Sequence, residues 1–335
     1  MSTPRALRRG PLAAGVATVL VWLAGCTGGE APPPVNLDRT PAPIATEEGL
    51  HGGPISPPST GALLGAWVKP RVFSQPQRVQ AVDQFERRID RRLDIVNSYR
   101  PFTEHFFTNS DRRFMKDGSV LMLSWAGADT RAITLGRYDD LIRDRAQTVA
   151  VLGTPLMIRF GWEMDRPNLR ASMWSGQDYI ASWNHVRKIF QEEGATNVSW
   201  VWCPTAEGFG TGEAPKFYPG DAQVDWLCVD VYATSTLEGI GDLLAPFLRW
   251  AAAHPRPIIV GEYGVSRAHP PTERAKWLRN ATAVFKANPQ IKAVSYFESD
   301  PEDASTLQFS LTPDPAAMDA FAAMAKDGYF RPDRK

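Results

Sequence analysis

From residue 60 onward the chain alternates short apolar runs with longer amphipathic stretches. The runs are Leu63–Trp67, Leu93–Tyr99, Val120–Trp125, Pro155–Phe160, Val198–Trp202, Val224–Val231, Pro257–Val260 and Ile291–Phe297. They are rich in β-branched and aromatic residues, as strands buried on both faces of a parallel sheet are. The stretches between them repeat their apolar positions every three or four residues, as a helix packing one face requires. In Arg137–Leu152 the stripe is Tyr138, Leu141, Ile142, Ala146, Val149 and Ala150, with Asp139 and Asp140 early and Gly153 placed to end it. In Tyr179–Glu193 it is Tyr179, Trp183, Val186, Ile189 and Phe190, with Ser175 as cap and Gly194 as terminator. Similar stripes are read at Val79–Ile89, Leu237–Trp250, Ala275–Phe285 and Ala317–Met324. After the second run the signal is weakest, a short helix near Ser110–Met115.

Eight strand–helix alternations in roughly 275 residues predict an α/β fold, a (β/α)₈ TIM barrel in a single domain. A doubly wound sheet is the competitor, but it announces itself by a Gly-rich phosphate loop after the first strand. Here that strand runs into Gly65-Ala66-Trp67-Val68-Lys69-Pro70, which is no such loop.

Upstream of the barrel the pattern changes. Arg5, Arg8 and Arg9 precede an apolar stretch, Pro11–Leu23, of signal-peptide length and too short to span a bilayer. Leu23-Ala24-Gly25-Cys26 then resembles the bacterial lipoprotein box, with cleavage before the cysteine and acylation of its thiol. Residues 1–25 are therefore expected to be a signal peptide. Residues 26–59, rich in Pro, Gly and Thr, read as a tether carrying lipidated Cys26, and 60–335 as the folded barrel domain. The expected location is extracytoplasmic, anchored by lipid to the bacterial cell membrane.

Composition narrows the function. Lys+Arg and Asp+Glu both number 37, so no basic face for nucleic acid is expected. No His/Cys spacing suggests a metal, no cofactor is implied, and a monomer is expected. The 11 tryptophans are the oddity, and indoles are either core or platforms for the flat C–H faces of sugars. Trp183, Trp250 and Trp277 fall on helix stripes and read as core. With Cys26 assigned to lipid, Cys203 and Cys228 remain on consecutive strands, either as a disulfide or as two buried thiols.

Barrel active sites lie at the C-terminal ends of the strands. The fourth run ends Arg159-Phe160-Gly161-Trp162-Glu163-Met164-Asp165 and the seventh ends Gly261-Glu262-Tyr263-Gly264. Each places a glutamate just past a buried apolar run, where an unpaired carboxylate is costly. Strands four and seven are expected to face each other across the ring. Their carboxylates could then approach to roughly 5–5.5 Å, the separation used by retaining glycosidases.

These segments resemble glycoside hydrolase family 26, the β-mannanase family of clan A. The likeness runs over most of 62–325 and includes Arg159–Asp165, Val201–Pro204, Tyr218–Trp226, Asp230-Val231-Tyr232 and Pro257–Gly264. The resemblance implies a retaining endo-β-glycosidase acting on a polysaccharide, β-1,4-mannan first. It implies Glu163 as acid/base, Glu262 as nucleophile, Arg159 beneath the acid/base, and Tyr232 hydrogen-bonded to the nucleophile. Trp202 and Trp174 are the leading candidates for sugar stacking, followed by Trp67, Trp125, Trp162 and Tyr296. Family mannanases carry a histidine directly before the acid/base and an asparagine two places after it; here these are Trp162 and Asp165. That departure keeps β-glucan open as a substrate. Asp165 is expected near the pair, partnered by Arg166 or Arg159 or raising the Glu163 carboxyl. A glycan-binding lipoprotein without turnover is the alternative from another class.

Overall fold

The computed structural model describes residues 50–332 apart from residue 302. The signal segment and Cys26 lie outside the described residues. Eight parallel strands close into a barrel in chain order: β1 (Leu63–Val68), β2 (Ile95–Arg100), β3 (Val120–Trp125), β4 (Leu156–Phe160), β5 (Val198–Trp202), β6 (Trp226–Ala233), β7 (Ile258–Val265) and β8 (Ile291–Glu298). This is the (β/α)₈ barrel that the alternation predicts, and all eight apolar runs become strands.

Seven of the described helices follow the predicted stripes, and three short ones, over residues 130–134, 170–173 and 206–211, are additional. In chain order the helices are α1 (Gln75–Ile89), α2 (Asn109–Lys116), α3 (Thr130–Thr134), α4 (Asp139–Leu152), α5 (Arg170–Met173), α6 (Gly176–Glu192), α7 (Ala206–Thr211), α8 (Ile240–Ala251), α9 (Pro271–Ala287) and α10 (Pro315–Lys326). The Ser175 side chain caps α6 by accepting from the Asp178 amide at 3.1 Å, and α4 ends at Gly153 in the left-handed region, φ 68°. Short α2 starts with a capping box in which Thr108 and Asp111 satisfy each other's amides. That explains how so weak a stripe still forms a helix.

Alternation along each strand sorts the barrel. Outward residues such as Trp125, Trp200 and Tyr296 pack against the helices. Inward residues at the N-terminal half, including Leu63, Ile95, Met122, Met157, Val201, Trp226, Ile259 and Ala293, form a separate apolar cluster. Ile55 packs against that cluster from below. The Ser199 hydroxyl donates to the Gly52 carbonyl at 2.7 Å and accepts from the Ile55 amide at 2.8 Å. The Trp226 indole donates to the Gly52 and Ile55 carbonyls at 2.9 and 3.1 Å. Residues 50–59 therefore do not belong to a tether as expected. Their apolar and backbone groups are used to close the bottom of the barrel, and the folded domain begins by residue 50 instead of 60.

Strands β4 and β7 are not opposite each other. In the closed order they stand three places apart, with β5 and β6 between them. The expectation of facing strands is corrected accordingly: β4 and β7 stand one place short of opposite in the ring of eight.

Candidate active site

Above the apolar cluster the barrel interior turns polar. Its centre is Arg159 of β4, with no exposed surface. Its Nε donates to the Ser124 hydroxyl at 2.8 Å, and Ser124 donates to the Asn97 side-chain oxygen at 2.7 Å. Its Nη1 donates to both Asp230 oxygens at 2.9 Å, and its Nη2 donates to Glu262 Oε1. Burial by itself would lower the Arg159 guanidinium; the charges of Asp230 and Glu262 outweigh it and hold the group far above its usual range. Burial likewise pushes the Asp230 carboxyl up, with Arg159 opposing and Glu262 and Glu163 adding. A buried cation between two carboxylates is tolerable only because each charge is paired and hydrogen-bonded.

Glu262 is 5% exposed and lies on β7 beside Asp230 in the register. Besides Arg159 it accepts from two phenols, Tyr99 at Oε1 and Tyr232 at Oε2, both at 2.5 Å. Burial first, then the charge of Glu262, raises both phenols well above their ordinary value. They are therefore permanent donors at neutral pH. Three donors thus converge on one carboxylate.

Glu163 stands in a different setting. It follows β4 in a turn in which Gly161 and Glu163 both have φ 53°. Its amide donates to the Cys203 carbonyl at 2.7 Å. A non-glycine residue in the left-handed region is worth scrutiny as a functional site. Arg166, three residues on, pairs with both Glu163 oxygens at 2.7 Å. The Glu163 carboxyl is nevertheless raised to about 7, chiefly by burial, with Arg166 opposing and Glu262 adding. The effect of Glu262 on Glu163 means that the two carboxylates feel each other. The pair is thus split into one carboxylate clasped by three donors and one carboxyl raised to about 7, two different settings of the kind that acid and nucleophile require.

No model of a protein family matches the chain. Among curated proteins, endoglucanase H of Acetivibrio thermocellus is 26% identical over 276 residues, 73% of this chain and 29% of that protein. A β-1,3-xylanase of an Alcaligenes species is 28% identical over 144 residues, 40% of this chain and 28% of that protein. The chain thus spans less than a third of either relative. Among solved structures, a family 26 β-mannanase from Bacteroides ovatus superposes with TM-score 0.60 at 15% identity, over 81% of this chain and 90% of that one. An endo-β-1,4-mannanase of Cellulomonas fimi, solved as a double mutant, gives TM-score 0.58 at 16% identity, over 87% and 77%. The chain shares its barrel fold with these β-mannanases.

On this barrel the predicted site residues separate. Arg159, Glu163, Tyr232 and Glu262 come together as described. Trp162 joins them, its ring 5.2 Å from Tyr99 and 5.3 Å from the Arg159 guanidinium carbon. Trp67 lies edge-on to Tyr99 at 4.9 Å. Trp174 is 47% exposed, with its indole N–H on Asp129 at 3.1 Å and the Arg131 guanidinium 4.2 Å from its ring.

Four assignments need correction. Trp125, Trp202 and Tyr296 have no exposed surface and point outward from their strands. Trp125 stacks on Phe102 at 5.1 Å, Trp202 donates to the Phe217 carbonyl at 3.1 Å, and Tyr296 donates to the Phe309 carbonyl at 2.7 Å. A position at a strand end does not reveal which face the side chain takes; the period of two does. Asp165 turns away from Glu163. It accepts from the Thr205 hydroxyl at 2.6 Å and the Thr205 amide at 3.1 Å, which pins the turn after β5. Its expected partner Arg166 is taken by Glu163 instead.

Three contributors were not singled out from the sequence: Tyr99, Asp230 and Arg166. The inward sets Ile95-Asn97-Tyr99 and Trp226-Cys228-Asp230-Tyr232 carry a readable signal, polar residues at the upper inward positions of otherwise apolar strands. For Cys203 and Cys228 the structure selects the disulfide.

Proposed function

We propose that this chain is a retaining endo-β-glycosidase. The observation that carries the reading is the split pair: Glu262 clasped by Tyr99, Tyr232 and Arg159, and Glu163 raised by burial to about 7. Glu262, ionised, attacks the anomeric carbon. Glu163, protonated, gives its proton to the departing glycosidic oxygen, leaving a glycosyl ester on Glu262. Glu163, now a carboxylate, takes a proton from water, whose oxygen attacks the same carbon and frees Glu262. Tyr99 and Tyr232 hold the nucleophile on line, and Trp162 and Trp67 wall the sugar that sits over it.

Acting on β-1,4-mannan is the first reading of substrate, supported by the mannanases that share the fold. A β-glucan is the second, favoured by Trp162. An indole in place of histidine beside the cleavage point alters the room for the sugar, and the relative of greatest matched length is named an endoglucanase. The run of Arg5, Arg8, Arg9, the apolar stretch and Cys26 supports lipid anchoring outside the cytoplasm, which labelling with a radioactive fatty acid in wild type and Cys26→Ala checks.

The test is reducing-sugar release by the full chain on β-mannan, glucomannan, mixed-linkage β-glucan and β-xylan, with Glu262→Ala alongside. Cleavage of one polymer, lowered by about four orders of magnitude or more in the variant, is expected. Saturable binding without release by a folded chain would favour the glycan-binding alternative.

A further inference from the structure

We infer that the Cys203–Cys228 disulfide is a positioning element for both catalytic carboxylates; the inference rests on the glycosidase reading above. The bond joins β5 and β6, the two strands that separate the glutamates of β4 and β7. The β5–β6 ladder is short there. It has two register pairs, Val201–Trp226 and Trp202–Leu227, against seven between β6 and β7. Backbone pairing resumes only at the Thr205–Asp230 bridge, where the Asp230 amide donates to the Pro204 carbonyl at 3.0 Å. Cys203 and Cys228 face each other in the gap, Cα–Cα 4.3 Å.

Cys203 reaches both halves of the site. Its carbonyl receives the Glu163 amide at 2.7 Å. Its sulfur lies 3.2 Å from Asp230 Oδ1 and 3.6 Å from Arg159 Nη1, the pair that holds Glu262. Cys228 reaches the nucleophile from the other side. The register of β6 on β7 shifts after Val229–Val260 and resumes at Asp230–Glu262, leaving Gly261 as the extra residue. A Cβ on Gly261 would lie 2.3 Å from Cys228 Sγ and 3.0 Å from Cys203 Sγ. The sulfurs occupy the space that a side chain would need, and the backbone just before Glu262 rests on them. The bond fixes the spacing of the two residues against the Gly261 backbone and the Asp230 carboxylate. Losing the bond therefore displaces the bulge and the Arg159–Asp230 pair together.

The experiment compares the full wild-type chain with the double variants Cys203→Ala/Cys228→Ala and Cys203→Ser/Cys228→Ser, well below their melting midpoints. A displacement near 1 Å can cost about 10²-fold in rate. The expected result is kcat lowered about tenfold or more, KM changed by less than about threefold, and a displaced basic limb of the pH profile. A lowered midpoint with unchanged kcat and pH profile would overturn the inference and leave the bond as a staple only. Gly261→Ala, with both cysteines kept, is expected to lower kcat in the same way; unchanged kcat in that folded variant also counts against it. If wild type cleaves no polymer, the glycosidase reading fails, and hydrogen exchange still judges the positioning. The Glu163 and Asp230 amides should exchange about tenfold faster or more without the bond; equal rates in a folded double variant overturn it.

Discussion

The lower and upper halves of the barrel interior are built from the same eight strands and could hardly differ more. Below, Leu63, Ile95, Met122, Met157, Val201, Ile259 and Ala293 make an apolar plug, with Ile55 packed against it. Above, Asn97, Tyr99, Ser124, Arg159, Asp230 and Glu262 form one hydrogen-bonded network around a fully buried guanidinium. The lower half gains free energy with every residue buried, roughly 1.5–3 kcal/mol for a large aliphatic side chain. The upper half does not: each ion is tolerated only through its partners, and removing one leaves the rest uncompensated. Stability and chemistry are therefore separable by depth along one axis, and substitutions at the two levels should behave differently.

The sharpest attempt to break that contrast is Arg159→Met, which fits the space but strands two carboxylates. Activity should vanish and stability should fall by about 3–5 kcal/mol, read by chemical denaturation and turnover together. One layer down, Met157→Ala should cost about 2–5 kcal/mol of stability yet leave kcat within a factor of two or so of wild type. A large loss of kcat there would mean that the levels are coupled. Tyr232→Phe, or Tyr99→Phe, removes one donor to Glu262. A hydrogen bond to a charged group is worth about 1.5–3 kcal/mol, so kcat/KM should drop about 10–100-fold while the melting midpoint barely moves.

The smallest effect concerns protons. Glu163 must be protonated to act as acid, so activity should fall as pH rises through about 7. Arg166 opposes the rise of that carboxyl, so Arg166→Leu should move the basic limb upward. The sign for stability is fixed by the same group. Its folded value lies above the ordinary 4.5, so its stabilising contribution is full below 4.5 and is lost as pH climbs to about 7. Glu163→Gln should flatten stability across that window, and a pH series of denaturation curves would detect it.

Most of the lower half was legible in the sequence, because apolar runs and a period of two are all that it needs. The upper half was legible only where a glutamate follows a predicted apolar run or a family motif marks a residue: Arg159, Glu163, Tyr232 and Glu262. Tyr99 and Asp230 belong to predicted runs themselves, where the alternation along the strand marks them as inward and polar. Trp125, Trp202 and Tyr296 are the converse case: their aromatic character suits a sugar platform, but the alternation along their strands turns them outward into the core. Asp165 and Arg166 exchanged partners because a tight turn with φ 53° at Glu163 redirects side chains that sequence spacing places together. The lower boundary of the domain was misplaced for another reason. Gly52 and Ile55 bind through backbone carbonyls and one modest side chain, which leaves no periodic trace.

That seal at the bottom has a practical side. Gly52 and Ile55 sit beneath the barrel, and there too the Ala62 amide meets the Tyr329 carbonyl at 2.9 Å. Both described ends of the chain thus leave from the face away from the mouth. A bead, an electrode or a fused partner coupled through either end would leave the mouth pointing outward, free to approach an insoluble fibre.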